Sequence, residues 1–229
     1  MKITIIIPVY NEINTIKVLL QKVINTKVEK QIIVVDDFST DGTREVLIEN
    51  FKNKIDKLVL HKKNLGKGSA IISAKSYISG DFVIIQDADL EYDPNDYKKL
   101  LEPVLLFKAD LVIGSRLSAS QLTRVYYFWH KMGNKLITLL FNILNNTTFT
   151  DIYSCYLVFK SDLVKPEKLL TAGWEQQAEI LSMVISKGKS FYEVPINYYG
   201  RTYDEGKKIR ARHAFAVLLT ILKKKFFPF

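Results

Sequence analysis

Phe82-Val-Ile-Ile-Gln-Asp-Ala-Asp-Leu-Glu-Tyr92 is the stretch from which the fold is read. Four apolar residues are followed by Asp87 and Asp89, one small residue apart, and then by Glu91. This is the pattern of a buried strand whose carboxyl end delivers acidic side chains to one point, and hard cations bind such points. A metal held there can neutralise a diphosphate, which points to chemistry on a nucleotide-activated substrate. With 13 Asp in 229 residues, chance alone supplies about 0.7 Asp-x-Asp pairs, so the surrounding sequence has to carry the reading.

Working outward, apolar runs alternate with helical patterns. Ile3 to Pro8, Gln31 to Val35, Lys57 to Leu60, Phe82 to Ile85 and Leu111 to Gly114 read as short buried strands. Ile13 to Ile24, Asp41 to Phe51, Lys67 to Ile78 and Pro94 to Phe107 carry the three-and-four spacing of amphipathic helices. This alternation predicts an α/β fold, a mostly parallel sheet with right-handed crossovers, whose ligands bind beyond the carboxyl ends of the strands. The polar residues gather at those ends, in Pro8-Val-Tyr-Asn-Glu12, Asp36-Asp37-Phe-Ser-Thr-Asp-Gly42, Asp87-Ala-Asp-Leu-Glu91 and Gly114-Ser-Arg116. Further on, Tyr126 to Leu144 and Glu175 to Ser186 read as helices, Ile152 to Lys160 and Ser190 to Ile196 as strands, and Arg201 to Lys208 as a basic loop.

Composition is ordinary for one globular domain, at 48% apolar and 25% charged, with no linker, repeat or low-complexity tract. The single Cys155 forms no internal disulfide and shows no grouping with His61, His130 or His213, so it reads as buried and inert in a reducing compartment. Met1 opens directly into a strand, so no secretory signal is expected, and the Asn-x-Thr sequons at Asn145 and Asn146 carry little meaning. The net charge is +9, and seven of the nine excess positive charges lie between Gly206 and Phe229. A nucleic-acid reader more often spreads its basic residues over its main surface, so a basic tail beside a nearly neutral body points instead to a membrane face carrying anionic lipid, with no nucleic-acid partner expected.

Each local motif has a plain alternative. Asp41 or Ser39 caps a helix, whereas Asp37 at a strand end is placed to accept hydrogen bonds from a base or ribose. Asn64-Leu-Gly-Lys-Gly68 fails the P-loop pattern, yet its glycines suit either an anion or a plain helix start. Arg116 offers a fork to a phosphate or to a neighbouring acid. Thr150-Asp151 reads as a cap.

In order and spacing, these segments resemble family-two glycosyltransferases of the GT-A fold, and within them the dolichyl- or polyprenyl-phosphate sugar synthases. Gly133-Asn134, Thr150-Asp151, Ser154-Cys-Tyr156, Glu193-Val-Pro-Ile196 and Tyr199 to Ile209 extend the likeness over nearly the whole chain. The resemblance implies a GT-A domain over residues 1–206, followed by a basic amphipathic helix over 207–229. It implies that Pro8, Tyr10, Glu12, Asp37, Asp87 and Ala88 line the nucleotide-sugar pocket, with Lys67 near it. Asp87, Asp89 and Glu91 would hold Mg or Mn on the diphosphate, Glu91 standing where the family often has Gln. Arg116, with Arg124 or Lys131, would bind an acceptor phosphate, and the loop carrying Arg201, Lys207 and Lys208 would close over the donor. Phe38 stands where the family usually has glycine, and Trp174 to Glu179 only loosely follows an acidic motif of the family.

The reading is an inverting, metal-dependent transfer from a nucleotide-diphosphate sugar to a lipid-carrier phosphate, at the cytoplasmic face of the membrane. A phosphate acceptor is already ionised and needs positioning more than a base; a saccharide hydroxyl acceptor would need one, and Asp151 is then the candidate. A nucleotidyltransferase and a non-catalytic membrane-surface adaptor are the remaining alternatives. In the tail, Ala211, Ala214, Phe215, Leu218 and Leu222 share one helical face that either packs on the domain or meets lipid. Ala214 to Leu222 is too short to span a bilayer, which needs about 20 residues.

Overall fold

A computed structural model describes residues 1–118, 128–164, 169–202 and 212–227. Seven strands form one sheet: β1 (Ile3–Val9), β2 (Lys30–Asp36), β3 (Lys57–Leu60), β4 (Phe82–Ile85), β5 (Leu111–Ser115), β6 (Leu157–Lys160) and β7 (Phe191–Pro195), in the order β3-β2-β1-β4-β6-β5-β7. All run the same way except β6, which is antiparallel to both β4 and β5. The mostly parallel α/β sheet expected from the alternation is therefore present, with one reversed strand inserted near its middle.

The period-two pattern of the strands decides which side each residue serves. On β1 and β2, Ile6, Ile33 and Val35 face one core, while Ile5, Ile7, Ile32 and Val34 face the other. The first core is closed by α3 (Lys67–Ala74), α5 (Phe128–Asn145), α6 (Gln176–Lys187) and α7 (Arg212–Phe226). The second is closed by α1 (Ile16–Asn25), α4 (Tyr97–Phe107) and α2 (Thr43–Val46), which runs on into a π-helical turn, Leu47–Phe51. With both faces covered, the strands read as continuous apolar runs rather than alternating ones.

From β1 the chain steps outward to β2 and β3, then returns to lay β4 on the other side of β1. That reversal opens a crevice at the carboxyl ends of β1 and β4, the place where open α/β sheets bind ligands. Pro8 to Glu12 and Asp87 to Glu91 both emerge there. The strand expected from Ile152 begins only at Leu157. Residues before it are drawn out of the ladder, because Ser154 donates its hydroxyl to the Gly114 carbonyl and the Ile152 amide donates to Thr138 Oγ1.

Candidate active site

The acids at the crevice are distributed between two cations. Lys67, at the start of α3, is ion-paired with Asp87. Burial alone would lower the Lys67 pKa; the carboxylate beside it outweighs that and raises it. Arg201 takes the others. Its Nη2 lies 2.8 Å from Asp89 Oδ2 and 3.3 Å from Glu12 Oε1, and its backbone amide donates to Glu91 Oε1 at 2.8 Å. Burial, reinforced by Asp87 and Glu91, pushes the Asp89 carboxyl up to about 7 against the pull of Arg201. Asp87, Asp89 and Glu91 thus do not converge on one point in this conformation, and among the described residues no three acids, imidazoles or thiols are grouped to hold one ion. Leu90, between Asp89 and Glu91, has φ +63, backbone strain of the kind that collects at functional sites.

Asp37 is buried and held by its own neighbourhood. Oδ1 accepts from His61 Nδ1 at 2.7 Å and from the Leu65 amide at 2.8 Å, and Oδ2 accepts from the Gly66 amide at 2.8 Å. His61 Nε2 in turn meets Ser73 Oγ at 2.9 Å. Asp36 is neutralised by Arg44, whose Nε lies 2.6 Å from Oδ2. Phe38 has φ +68, a left-handed backbone conformation that glycine adopts more readily than phenylalanine. Gly66 (φ +92) and Gly68 are small for an internal reason: a Cβ on either would come within 2.7 Å of the Ala172 backbone. The close approach inferred for an anion is thus made by the chain's own Ala172. Tyr10 is exposed, Pro8 and Ala88 are buried, and Ala88 accepts the Thr15 hydroxyl at 2.8 Å.

Arg116 and Asp151 form the second half of the site. Arg116 Nε and Nη2 donate to Asp151 at 2.7 and 2.8 Å, and its backbone amide adds a third bond at 3.0 Å. Asn134 of α5 donates to Oδ1 at 2.7 Å, while Glu193 of β7 accepts the amides of Thr150 and Asp151. Burial would raise the Asp151 carboxyl; Arg116, backed by Asn134, overrides it and holds the carboxyl below its ordinary range. The Arg116 guanidinium lies 5.1 Å from the centroid of the Tyr198 ring, and the Tyr198 hydroxyl donates to Glu91 at 2.6 Å. Tyr198 therefore touches both halves of the site. Lys131 sits on α5, exposed, one turn before Asn134. Arg124, Lys207 and Lys208 lie outside the described residues.

Residues 4–165 match the family model described as glycosyl transferase family 2. The chain belongs to that family. It is 29% identical over 213 residues to the dolichol-phosphate mannosyltransferase of Pyrococcus furiosus, covering 90% of this chain and 59% of that protein. It is 31% identical over 170 residues to the low-salt glycan biosynthesis hexosyltransferase Agl6 of Haloferax volcanii, covering 74% of this chain and 40% of that one. The chain thus spans between 40% and 59% of the length of these two relatives. Glucosyl-3-phosphoglycerate synthase from Mycobacterium tuberculosis, solved with Mn2+, UDP and phosphoglyceric acid, superposes with a TM-score of 0.70 at 20% identity, over 100% of this chain and 80% of that one. That likeness shows a shared GT-A type fold.

In this family 2 chain the C-terminal helix borders the site. His213 of α7 lies 6.4 Å, centroid to centroid, from Trp174, over whose ring Lys67 Nζ sits at 5.2 Å. Val217 of α7 joins Tyr153, Cys155 and Trp174 in lining a small cavity. Cys155 is half-buried rather than fully buried as the sequence suggested, and desolvation pushes its thiol up to about 11. Lys224 turns inward, 2.7 Å from the buried Glu179, which also accepts the Leu170 and Thr171 amides. Lys223 and Lys225, with Phe215, Leu219, Leu222 and Phe226, face outward. The helix packs through Val217 and Ile221, with Ala214 and Leu218 of the face read from the sequence partly buried against the same core, while Phe215 and Leu222 of that face are exposed. No helix among the described residues is long and apolar enough to cross a membrane.

His61, Tyr198 and Glu193 were given no role in the sequence reading. An acid-poor stretch around His61 offers no local hint of Asp37, 24 residues earlier. For Glu193 the only signal is its place in Glu193-Val-Pro-Ile196, which resembles the family; Tyr198 falls between that segment and the one from Tyr199 and carries no signal.

Proposed function

We propose that the chain transfers a sugar, with inversion, from a nucleotide-diphosphate sugar to the phosphate of a polyprenyl-type lipid, with a divalent cation. The observation that carries the acceptor class is Asp151. It is fully buried, its oxygens are engaged by Arg116 and Asn134, and its carboxyl is held low. A carboxylate so held is a poor general base, and a hydroxyl acceptor needs one. A phosphate acceptor arrives ionised and needs orientation, which Arg116, kept in place by Asp151 and backed by Tyr198, is built to provide. The name of the Pyrococcus furiosus relative, a dolichol-phosphate mannosyltransferase, supports the same acceptor class.

A divalent cation fits the residues present: Glu12, Asp89 and Glu91 are all carboxylates, and they already surround one positive charge. When bound, such an ion stabilises the negative charge on the departing diphosphate. Asp89 and Glu91, with Asp87, would hold it, Mg or Mn, and Lys67 adds a fixed positive charge beside Asp87. Glu12 and Tyr10 would line the nucleotide pocket. Asp37 would shape it by holding the Leu65 and Gly66 amides, and the segment from Arg201 onward, with Lys207 and Lys208, would cover the donor. Residues 1–206 would carry the catalysis, and residues 207–229, docked through Lys224, would set the outward lysines and apolar residues of α7 against the inner face of the membrane.

The test is a panel of nucleotide sugars offered with Mn2+ to the full chain, together with either a short polyprenyl phosphate or saccharide acceptors, products being identified by mass. A sugar-phosphate-prenyl product supports the proposal. A product formed only on saccharide hydroxyls overturns it.

A further inference from the structure

Glu12, Asp89 and Glu91 each reach the same guanidinium, and acids drawn towards one place repel each other unless something positive lies between them. Here that charge comes from the chain. Arg201 reaches Glu12 across 189 residues of sequence, Asp89 across 112 and Glu91 across 110. Its guanidinium is less than one-quarter exposed, and its Nε is buried without a hydrogen-bond partner, 3.6 Å from Glu91 Oε1. A guanidinium fully matched to its acids would leave no such N–H unpaired. Nη1 and Nη2 donate to Glu12 and Nη2 also to Asp89, so Nε is the donor of the guanidinium left unmatched among the acids.

We propose that Arg201 is the resident counter-cation of the ion site: a divalent cation and the Arg201 guanidinium exchange for Asp89 and Glu91, so that ion binding releases the segment from Tyr198 to Arg201. The inference rests on the proposed ion site. A divalent ion coordinated by Asp89 and Glu91 takes over the oxygens that Arg201 holds by its side chain and its amide. The Tyr198 hydroxyl bonds the same Glu91, and the Tyr198 ring lies against Arg116. Occupation of the donor side is thereby felt at the acceptor arginine through one tyrosine. The freed guanidinium becomes available to the diphosphate that accompanies the ion, a charge-assisted partner suited to its fork.

The experiment is binding of Mn2+ alone, without nucleotide, to the wild-type chain and to Arg201→Gln, followed by electron paramagnetic resonance of the free ion. Removing the competing charge should tighten binding about tenfold. In parallel, hydrogen exchange of residues 198–202 in the wild type should speed up when Mn2+ is added, because the Arg201 amide loses its Glu91 acceptor. This second measurement needs no substitution and holds if Arg201→Gln fails to fold. Equal or weaker binding by Arg201→Gln, or slower exchange on adding Mn2+, overturns the exchange. Failure of both proteins to bind Mn2+ overturns it together with the ion assignment. Tighter binding by the variant, with no wild-type sugar transfer to any acceptor, supports the exchange and removes the transferase reading alone.

Discussion

Replacing Asp151 by asparagine separates a positioning carboxylate from a general base. Asp151 is fully buried, and the Arg116 side chain it neutralises is only 14% exposed. The asparagine keeps the volume but removes the charge, and its amide nitrogen must face Arg116 or Asn134, both of which are donors. Leaving a buried cation unpaired costs about 3–5 kcal/mol. At about 2–4 °C per kcal/mol for a chain of this size, the midpoint of thermal unfolding should fall by roughly 10 °C. The sign with pH follows from the direction of the Asp151 shift. A carboxyl held below its unfolded value, about 3.9, contributes stability above that pH and loses it as pH falls through the lower folded value. The gap between wild type and Asp151→Asn should therefore be full at pH 7 and narrow below about pH 4. Scanning calorimetry at several pH values, with sugar transfer measured well below the variant's midpoint, gives both readouts. The folded variant should keep transfer within about tenfold of wild type, since a lost base costs typically 10²–10⁴. A stability loss under about 1 kcal/mol, or complete inactivity in a fully folded variant, would refute the positioning role.

Asp89→Ala should abolish sugar transfer while leaving the fold intact by circular dichroism; full activity in that variant, or in wild type with excess chelator, removes the ion from the mechanism. Because the Asp89 carboxyl is pushed up to about 7, a proton competes with the ion there, and Mn2+ affinity measured by calorimetry should weaken as pH falls from about 8 to 6. Lys224→Gln strands the buried Glu179 and should cost about 3 kcal/mol in urea unfolding. Lys223→Gln with Lys225→Gln should barely change stability yet weaken binding to anionic vesicles about 30-fold, at about 1 kcal/mol per lysine; unchanged vesicle binding would place any lipid contact elsewhere. Native Cys155 should resist iodoacetamide at pH 8 and react only on unfolding, because burial pushes its thiol up to about 11.

The sequence by itself determined the strands β1 to β5, the helices between them, and the gathering of polar residues at the strand ends. Those signals are local: a period of two or three to four, broken where the chain turns. It also set Glu12, Asp87, Asp89 and Arg116 just beyond the carboxyl ends of buried strands, since a residue that follows a buried strand in a parallel sheet can emerge nowhere else. Only the tertiary structure decided partners. That β6 enters antiparallel between β4 and β5 depends on a pairing between distant segments, which no local pattern records. The same holds for His61 on Asp37, for Ala172 against Gly66 and Gly68, and for Lys224 on Glu179. Arg201 is the clearest case. Its sequence neighbourhood reads as a basic loop that the resemblance sets over the donor, and no local pattern shows that its guanidinium lies among three acids from two distant loops. A charge seeks its counter-charge through space, and only the folded chain brings Glu12, Asp89 and Glu91 to that point.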